Sequence, residues 1–171
     1  MPDKLRSFEL GVVMPVYNEA DCIARVVSEW CAVLESLMMP FRFFVLNDGS
    51  TDQTQLRLEE LSKTKPIQVI THSNRGHGPT IFAGYRLATS ECRFVFQTDS
   101  DDEMSASDFV RIWNNREGFD GVFAVRSHRH QSPVRWLLTR LSRLAVWHLF
   151  GATPVQDVNV PFRLIRSDVL T

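Results

Sequence analysis

The chain has 171 residues, 44% hydrophobic and 23% charged, with a formal net charge of −1. That length suits one domain with a real core and is short for two. The composition is that of a globular protein, and the near-neutral balance excludes a global pull toward nucleic acid.

Short apolar runs alternate with longer amphipathic ones. Residues 9–16 (ELGVVMPV) read as a strand covered on both faces. Residues 20–37 read as a helix, with Ile23, Val26, Val27, Trp30, Val33, Leu34 and Leu37 at offsets of three and four. Residues 41–46 (FRFFVL) form a second strand, and 52–62 a second helix with Asp52 or Ser50 as cap. A third strand at 67–71 precedes a helix at 78–89, where Pro79 suits the first turn. A fourth strand at 92–98 precedes a helix at 105–116. A fifth strand at 120–125, a long helix at 133–150 and a last extended segment at 158–165 follow. This alternation implies an α/β fold, a mostly parallel sheet with helices on both faces.

In such sheets ligands bind beyond the carboxyl ends of the strands. The segments standing there are "PVYNEAD", "NDGSTD", "SNRGHG", "DSDDE" and "RSHRH". "NDGSTD" also reads simply as a turn followed by a helix start. The acidic run is harder to explain by folding, because like charges at the end of a rigid strand repel. Carboxylates one residue apart can present oxygens to a hard cation, Mg²⁺ or Mn²⁺, that takes substrate phosphates as further ligands. Asp101 is the first choice of ligand, with Asp99 beside it and Glu103 at the next alternate position.

The helix at 133–150 carries Trp136, Arg140, Arg143 and Trp147 on one face. That stripe suits a membrane interface, or else ordinary cation–π stacking or an oligomer contact. The N-terminus lacks the apolar region of a signal peptide, and no apolar run is long enough to span a bilayer. Cys22, Cys31 and Cys92 lack metal-type spacing and read as reduced thiols. A cytoplasmic location is therefore expected, with peripheral membrane contact through 133–150.

Taken in order, "VVMPVYNEAD", "VLNDGSTDQT", "SNRGHGPTIFAGYRLA", "FVFQTDSDDE" and "DVNVPFRLIRSDVL" resemble the inverting glycosyltransferases of family 2, which have the GT-A fold. The likeness is strongest to the branch with dolichol-phosphate mannose synthase and bacterial polyprenyl-phosphate sugar transferases. It runs from about residue 9 to 170.

The resemblance implies that Pro15, Tyr17 and Glu19 line the nucleoside pocket, that Asp48 contacts the base, and that Gly76 and Gly78 belong to a loop near the nucleotide. Asp99 and Asp101 match the family D-x-D that meets ribose and metal. Glu103 stands where relatives commonly have Gln. Arg126 matches a basic position near the diphosphate or the acceptor phosphate. Asp157 matches an acceptor-side aspartate, as base or positioning group, or it merely orders its loop. Arg163 holds an acceptor phosphate or is only a surface charge.

The implied partners are a UDP- or GDP-linked sugar and a lipid phosphate. A single catalytic domain over 1–171 is expected, lacking a C-terminal extension found in relatives. Transfer to a saccharide or other hydroxyl, or a non-catalytic binding module, are the alternatives. A sugar-phosphate nucleotidyltransferase is disfavoured, because "PVYNEAD" is acidic and has no lysine.

Overall fold

The computed structural model describes residues 6–101, 104–124 and 161–170. The described residues up to Phe123 and from Pro161 onward belong to one compact unit. Its elements are β1 (Phe8–Val16), α1 (Ile23–Ser36), β2 (Phe41–Asp48), α2 (Thr54–Ser62), β3 (Ile67–His72), α3 (His77–Glu91), β4 (Cys92–Gln97), α4 (Asp108–Asn114), β5 (Gly121–Phe123) and β6 (Arg163–Arg166). A short 3₁₀ turn, Ser167–Val169, follows β6.

The strands form one sheet in the order β3-β2-β1-β4-β6-β5. β1 pairs in parallel with β2 and β4, and β2 with β3. β6 runs antiparallel to both β4 and β5. The expected mostly parallel sheet is thus present. Its one reversed strand, lying between β4 and β5, is a feature that the spacing of apolar runs did not reveal.

β1 is central and buried from Leu10 to Val16, which explains its unbroken apolar run. Alternate residues serve two separate cores. On one face Trp30 of α1, Phe96 of β4, Phe109 of α4 and Phe162 form an aromatic cluster. Ring centroids lie 5.5 Å apart for Trp30–Phe96, 4.6 Å for Phe96–Phe109 and 4.8 Å for Phe96–Phe162. On the other face Val13, Phe44, Leu46, Ala88, Cys92 and Val95 form a second cluster beneath α3. Burial pushes the Cys31 thiol up to about 11 and the Cys92 thiol up to about 12. Both therefore stay protonated and inert at neutral pH.

α3 lies close to the sheet because its inner face is small. A Cβ on Gly84 would come 2.4 Å from Val13 Cγ1 and 3.1 Å from Leu46 Cδ1. Gly84→Ala is therefore expected to destabilise the fold by about 1–3 kcal/mol through overpacking, although alanine is the better helix former. Urea unfolding would check this, and a stabilised variant would refute the close contact.

α1 starts at Ile23, the first residue of its apolar period and three residues later than the expected span of 20–37. Asn18 has φ 56, and Glu19 turns the chain by accepting the Cys22 and Ile23 N–H groups. Glu103, Arg126, Asp157 and the helix expected at 133–150 lie outside the described residues.

Candidate functional site

The loops after β1 and β2 are sewn together by side chains of the "YNEAD" and "NDGSTD" segments. The Asn18 N–H donates to Ser50 Oγ (3.0 Å), and Asn18 Oδ1 accepts the Thr51 N–H (2.8 Å). The Glu19 N–H donates to Thr54 Oγ1 (2.8 Å), and the Ala20 N–H to Asp52 Oδ2 (3.1 Å). Asp52 Oδ1 accepts the Thr54 N–H at 3.0 Å, so it orders the start of α2. Ser50, the other candidate cap, instead donates to Asn47 Oδ1.

Desolvation pushes the Asp52 carboxyl up, but its hydrogen bonds from Thr54 and Ala20 outweigh this and leave it below its ordinary value of 3.8. A depressed carboxyl stabilises the fold fully above that ordinary value, and the contribution disappears as pH falls through the folded value. Asp52→Ala is expected to cost about 1 kcal/mol at neutral pH, the scale of a lost cap. The gap from wild type should close in acid well below 3.8. Urea melts at both pH values check this.

Asp48, at the end of β2, is 4% exposed. Its Oδ1 accepts the Arg75 N–H and its Oδ2 the Gly76 N–H, both at 2.9 Å, and His72 Nδ1 lies 3.3 Å from Oδ1. Asp48 thereby fixes the loop after β3 and the approach to α3. Gly49, at φ 68, permits this close approach, since a Cβ there would meet the Asn74 nitrogen at 2.5 Å. Gly76, at φ 91, precedes α3, while Gly78 lies in its first turn.

β4 delivers the acidic residues beside these loops. The Thr98 N–H donates to the Val13 carbonyl at 3.1 Å, which holds the exit of β4 against β1. A cleft of about 320 Å³ opens at the carboxyl ends of β1, β2 and β4. It is lined by Pro15, Val16, Tyr17, Glu19, Asp48, His77, Asp99, Ser100 and Asp101. Six residues singled out in the sequence, Pro15, Tyr17, Glu19, Asp48, Asp99 and Asp101, therefore share one cavity.

His77 was not singled out. Its Nε2 lies 3.6 Å from Asp99 Oδ1. A lone histidine in a glycine-rich loop carries no periodic signal, and only the pairing of α3 with β4 reveals its place. Cys22 borders the site as well, with its Sγ 3.0 Å from Glu19 Oε2.

The lining combines the carboxylates of Glu19, Asp48, Asp99 and Asp101 with the imidazole of His77. Among the described residues, no three metal-binding side chains converge into a cage. The oxygen donors of Asp99 and Asp101 at an open cleft fit a hard divalent cation that completes its shell with phosphates and water.

Arg163 does not line this cleft. It stands on β6 opposite Gln97. Gln97 is buried, and its Oε1 accepts the Tyr85 hydroxyl at 2.5 Å. Burial raises the Tyr85 hydroxyl, with the Arg163 charge pulling it down and the Asp99 charge pushing it up. Both groups thus lie within electrostatic reach of that ring.

Comparison with known proteins gives a consistent result. The profile of the family described as Glycosyl transferase family 2 matches residues 11–164. The undecaprenyl-phosphate 4-deoxy-4-formamido-L-arabinose transferases of Pseudomonas fluorescens strains Pf0-1 and SBW25 are 27% and 28% identical. Each alignment spans 94% of this chain and 48% of the relative. The chain thus spans about half the length of the curated relatives it matches.

Among solved structures, glucosyl-3-phosphoglycerate synthase from Mycobacterium tuberculosis, in complex with Mn²⁺, UDP and glucosyl-3-phosphoglycerate, superposes with a TM-score of 0.69. Identity is 20%, over 95% of this chain and 58% of that one. TarS 1–349 from S. aureus gives a TM-score of 0.58 at 20% identity, over 95% and 48% of the two chains.

Proposed function

The chain belongs to glycosyl transferase family 2, and from that premise we propose that it moves a sugar from a nucleoside-diphosphate donor to a polyprenyl phosphate, with inversion at the anomeric carbon. The observation that carries this reading is the cleft at the carboxyl end of a GT-A sheet. There the β1 and β2 loops meet the paired carboxylates of Asp99 and Asp101. Support for the acceptor comes from relatives that act on undecaprenyl phosphate. Support for a UDP donor and a metal comes from a structural neighbour solved with UDP and Mn²⁺.

Each residue has a role on this reading. Tyr17, exposed at the cleft edge, offers a flat apolar face to the nucleoside, beside Pro15 and Glu19. Asp48 has spare acceptor capacity after its two backbone bonds, so it can take an N–H of the base while still holding the β3 loop. Asp99 and Asp101 would hold Mg²⁺ or Mn²⁺. When bound, such a cation offsets the charge that develops on the departing diphosphate. His77, beside Asp99, limits how that carboxylate can turn. Glu103, Arg126 and Asp157 keep the roles the family resemblance gives them, as third metal ligand, basic contact and acceptor-side base or positioning group. A phosphate acceptor is already an anion at neutral pH, so the demand on Asp157 as a base is small.

No helix among the described residues is long and apolar enough to cross a membrane. We place the protein at the cytoplasmic face as a peripheral partner of its lipid substrate.

The test is transfer by the 171-residue chain from a panel of UDP- and GDP-sugars with Mn²⁺, offered citronellyl phosphate or citronellol. Product with inverted linkage is expected from the phosphate alone. Transfer to the alcohol alone would make this a hydroxyl-directed enzyme. Failure of every donor to bind would remove the catalytic reading.

A further inference from the structure

The transfer reading gives His72 no task, yet its ring stands against a wall of the cleft. His72 ends β3, and the parallel register sets it directly beside Asp48 at the end of β2. Paired neighbours project to the same face of a sheet, and His72 Nδ1 lies 3.3 Å from Asp48 Oδ1. From α3 the buried Thr80 places its hydroxyl oxygen 3.5 Å from His72 Nε2, so the ring is held on both edges.

The neighbours also decide which ring nitrogen carries a proton. Nδ1 lies 2.9 Å from the Ser73 carbonyl and 3.2 Å from Arg75 Nε. The carbonyl and the Asp48 carboxylate are both acceptors, and a bare Nδ1 would aim its lone pair at them. Arg75 is exposed and can give its Nε–H to water, whereas Asp48 is buried. The proton therefore sits on Nδ1, and Nε2 faces the Thr80 hydroxyl.

A carboxylate offers about four acceptor positions. Asp48 Oδ1 takes the Arg75 N–H and Oδ2 the Gly76 N–H. The Nδ1 edge of His72 covers the rest of Oδ1. What remains for a ligand in the cleft that Asp48 lines is the free side of Oδ2. Nucleobases differ in what they bring there. Uracil presents one imide N–H between two carbonyls. Guanine presents two adjacent donors, which match both oxygens of an open carboxylate. Against a covered Oδ1 its second donor stays unpaired and carries its desolvation cost. Cytosine has a lone pair where uracil has the N–H.

We propose that His72 is a positioning residue that sets the base preference of the cleft. By covering Oδ1 it leaves Asp48 a single acceptor, which takes uracil and disfavours guanine. This rests on the transfer reading above, in which Asp48 meets the base of the donor.

Calorimetry on the full chain with Mn²⁺ and UDP, GDP or CDP tests this without catalysis. Wild type should bind UDP about 10–150-fold more tightly than GDP, the scale of one hydrogen bond to a charged group, and CDP more weakly than UDP. His72→Ala uncovers Oδ1, so the UDP-to-GDP ratio should fall about tenfold or more. His72→Asn can return an N–H to the place of Nδ1 and should restore most of the ratio. A purely structural role would weaken UDP and GDP alike and leave the ratio unmoved.

Equal binding of UDP and GDP by wild type would overturn the proposal while leaving the transfer reading intact. An unchanged ratio in His72→Ala would overturn it too, as would a ratio in His72→Asn as low as in His72→Ala. CDP bound as tightly as UDP would mean that Asp48 does not read the base, and the proposal falls. Should His72→Ala not fold, the wild-type series and His72→Asn still decide. If wild type binds no nucleoside diphosphate, the transfer reading itself fails and this proposal with it.

Discussion

Asp99→Asn and Asp101→Asn are each expected to lower kcat/KM by about 10²–10³-fold, the scale of one preorganised electrostatic stabiliser removed from a transition state. The amide keeps the shape of the side chain and removes the charge that would hold the cation. The discriminating measurement is UDP affinity by calorimetry, with and without Mn²⁺. In wild type the acidic lining of the cleft should repel a bare diphosphate and attract it once a cation neutralises the site. In the variants the metal enhancement should vanish, while metal-free UDP binds as well as before or better, because a repelling charge has gone. A variant that binds UDP poorly with or without Mn²⁺ points to a disturbed loop. In that case the paired carboxylates are a folding element and the metal reading fails.

Phe96→Ala should remove about 3–5 kcal/mol of stability, the range for deleting a buried aromatic ring. The ring is fully buried and lies at the centre of the aromatic cluster, touching Trp30, Phe109 and Phe162. Its loss would leave a cavity between α1, α4 and the sheet that rigid neighbours cannot close. Phe96→Leu, which refills part of the volume, should cost distinctly less. Urea denaturation of both variants gives the comparison. Phe96 also lies on the strand that delivers Asp99, so the alanine variant should lose donor affinity at denaturant concentrations where it is still mostly folded. Equal stability of the alanine and leucine variants would mean that the cluster adapts and is not the rigid support proposed.

Much of this architecture is written in local pattern. β1 to β4 and α1 to α3 fall near where the apolar runs place them, because β1, β2 and β4 are buried along most of their length and each helix buries one side, while β3, at the sheet edge, is only partly covered. The site loops are legible for a related reason, since polar residues at strand ends have no core to enter. What escaped the reading depends on contacts distant in sequence. His77 meets Asp99 only because α3 packs across β1 and β4. Gly84 looks like a weak point in a helix until Val13 and Leu46 are seen against it. Asp48 was read for the base, yet its two hydrogen bonds to the β3 loop depend on partners 27 and 28 residues away. The reversal of β6 is invisible as well, because a four-residue strand carries the same pattern whichever way it runs.

That reversal has a practical corollary. Phe123 and Arg163 are direct neighbours across the β5–β6 ladder, so the two chain points that bracket residues 124–162 stand side by side in the sheet. Because those two points are close, a replacement joined between residues 123 and 161 need not alter the pairing of any described strand, provided that Phe162 keeps its place against Phe96.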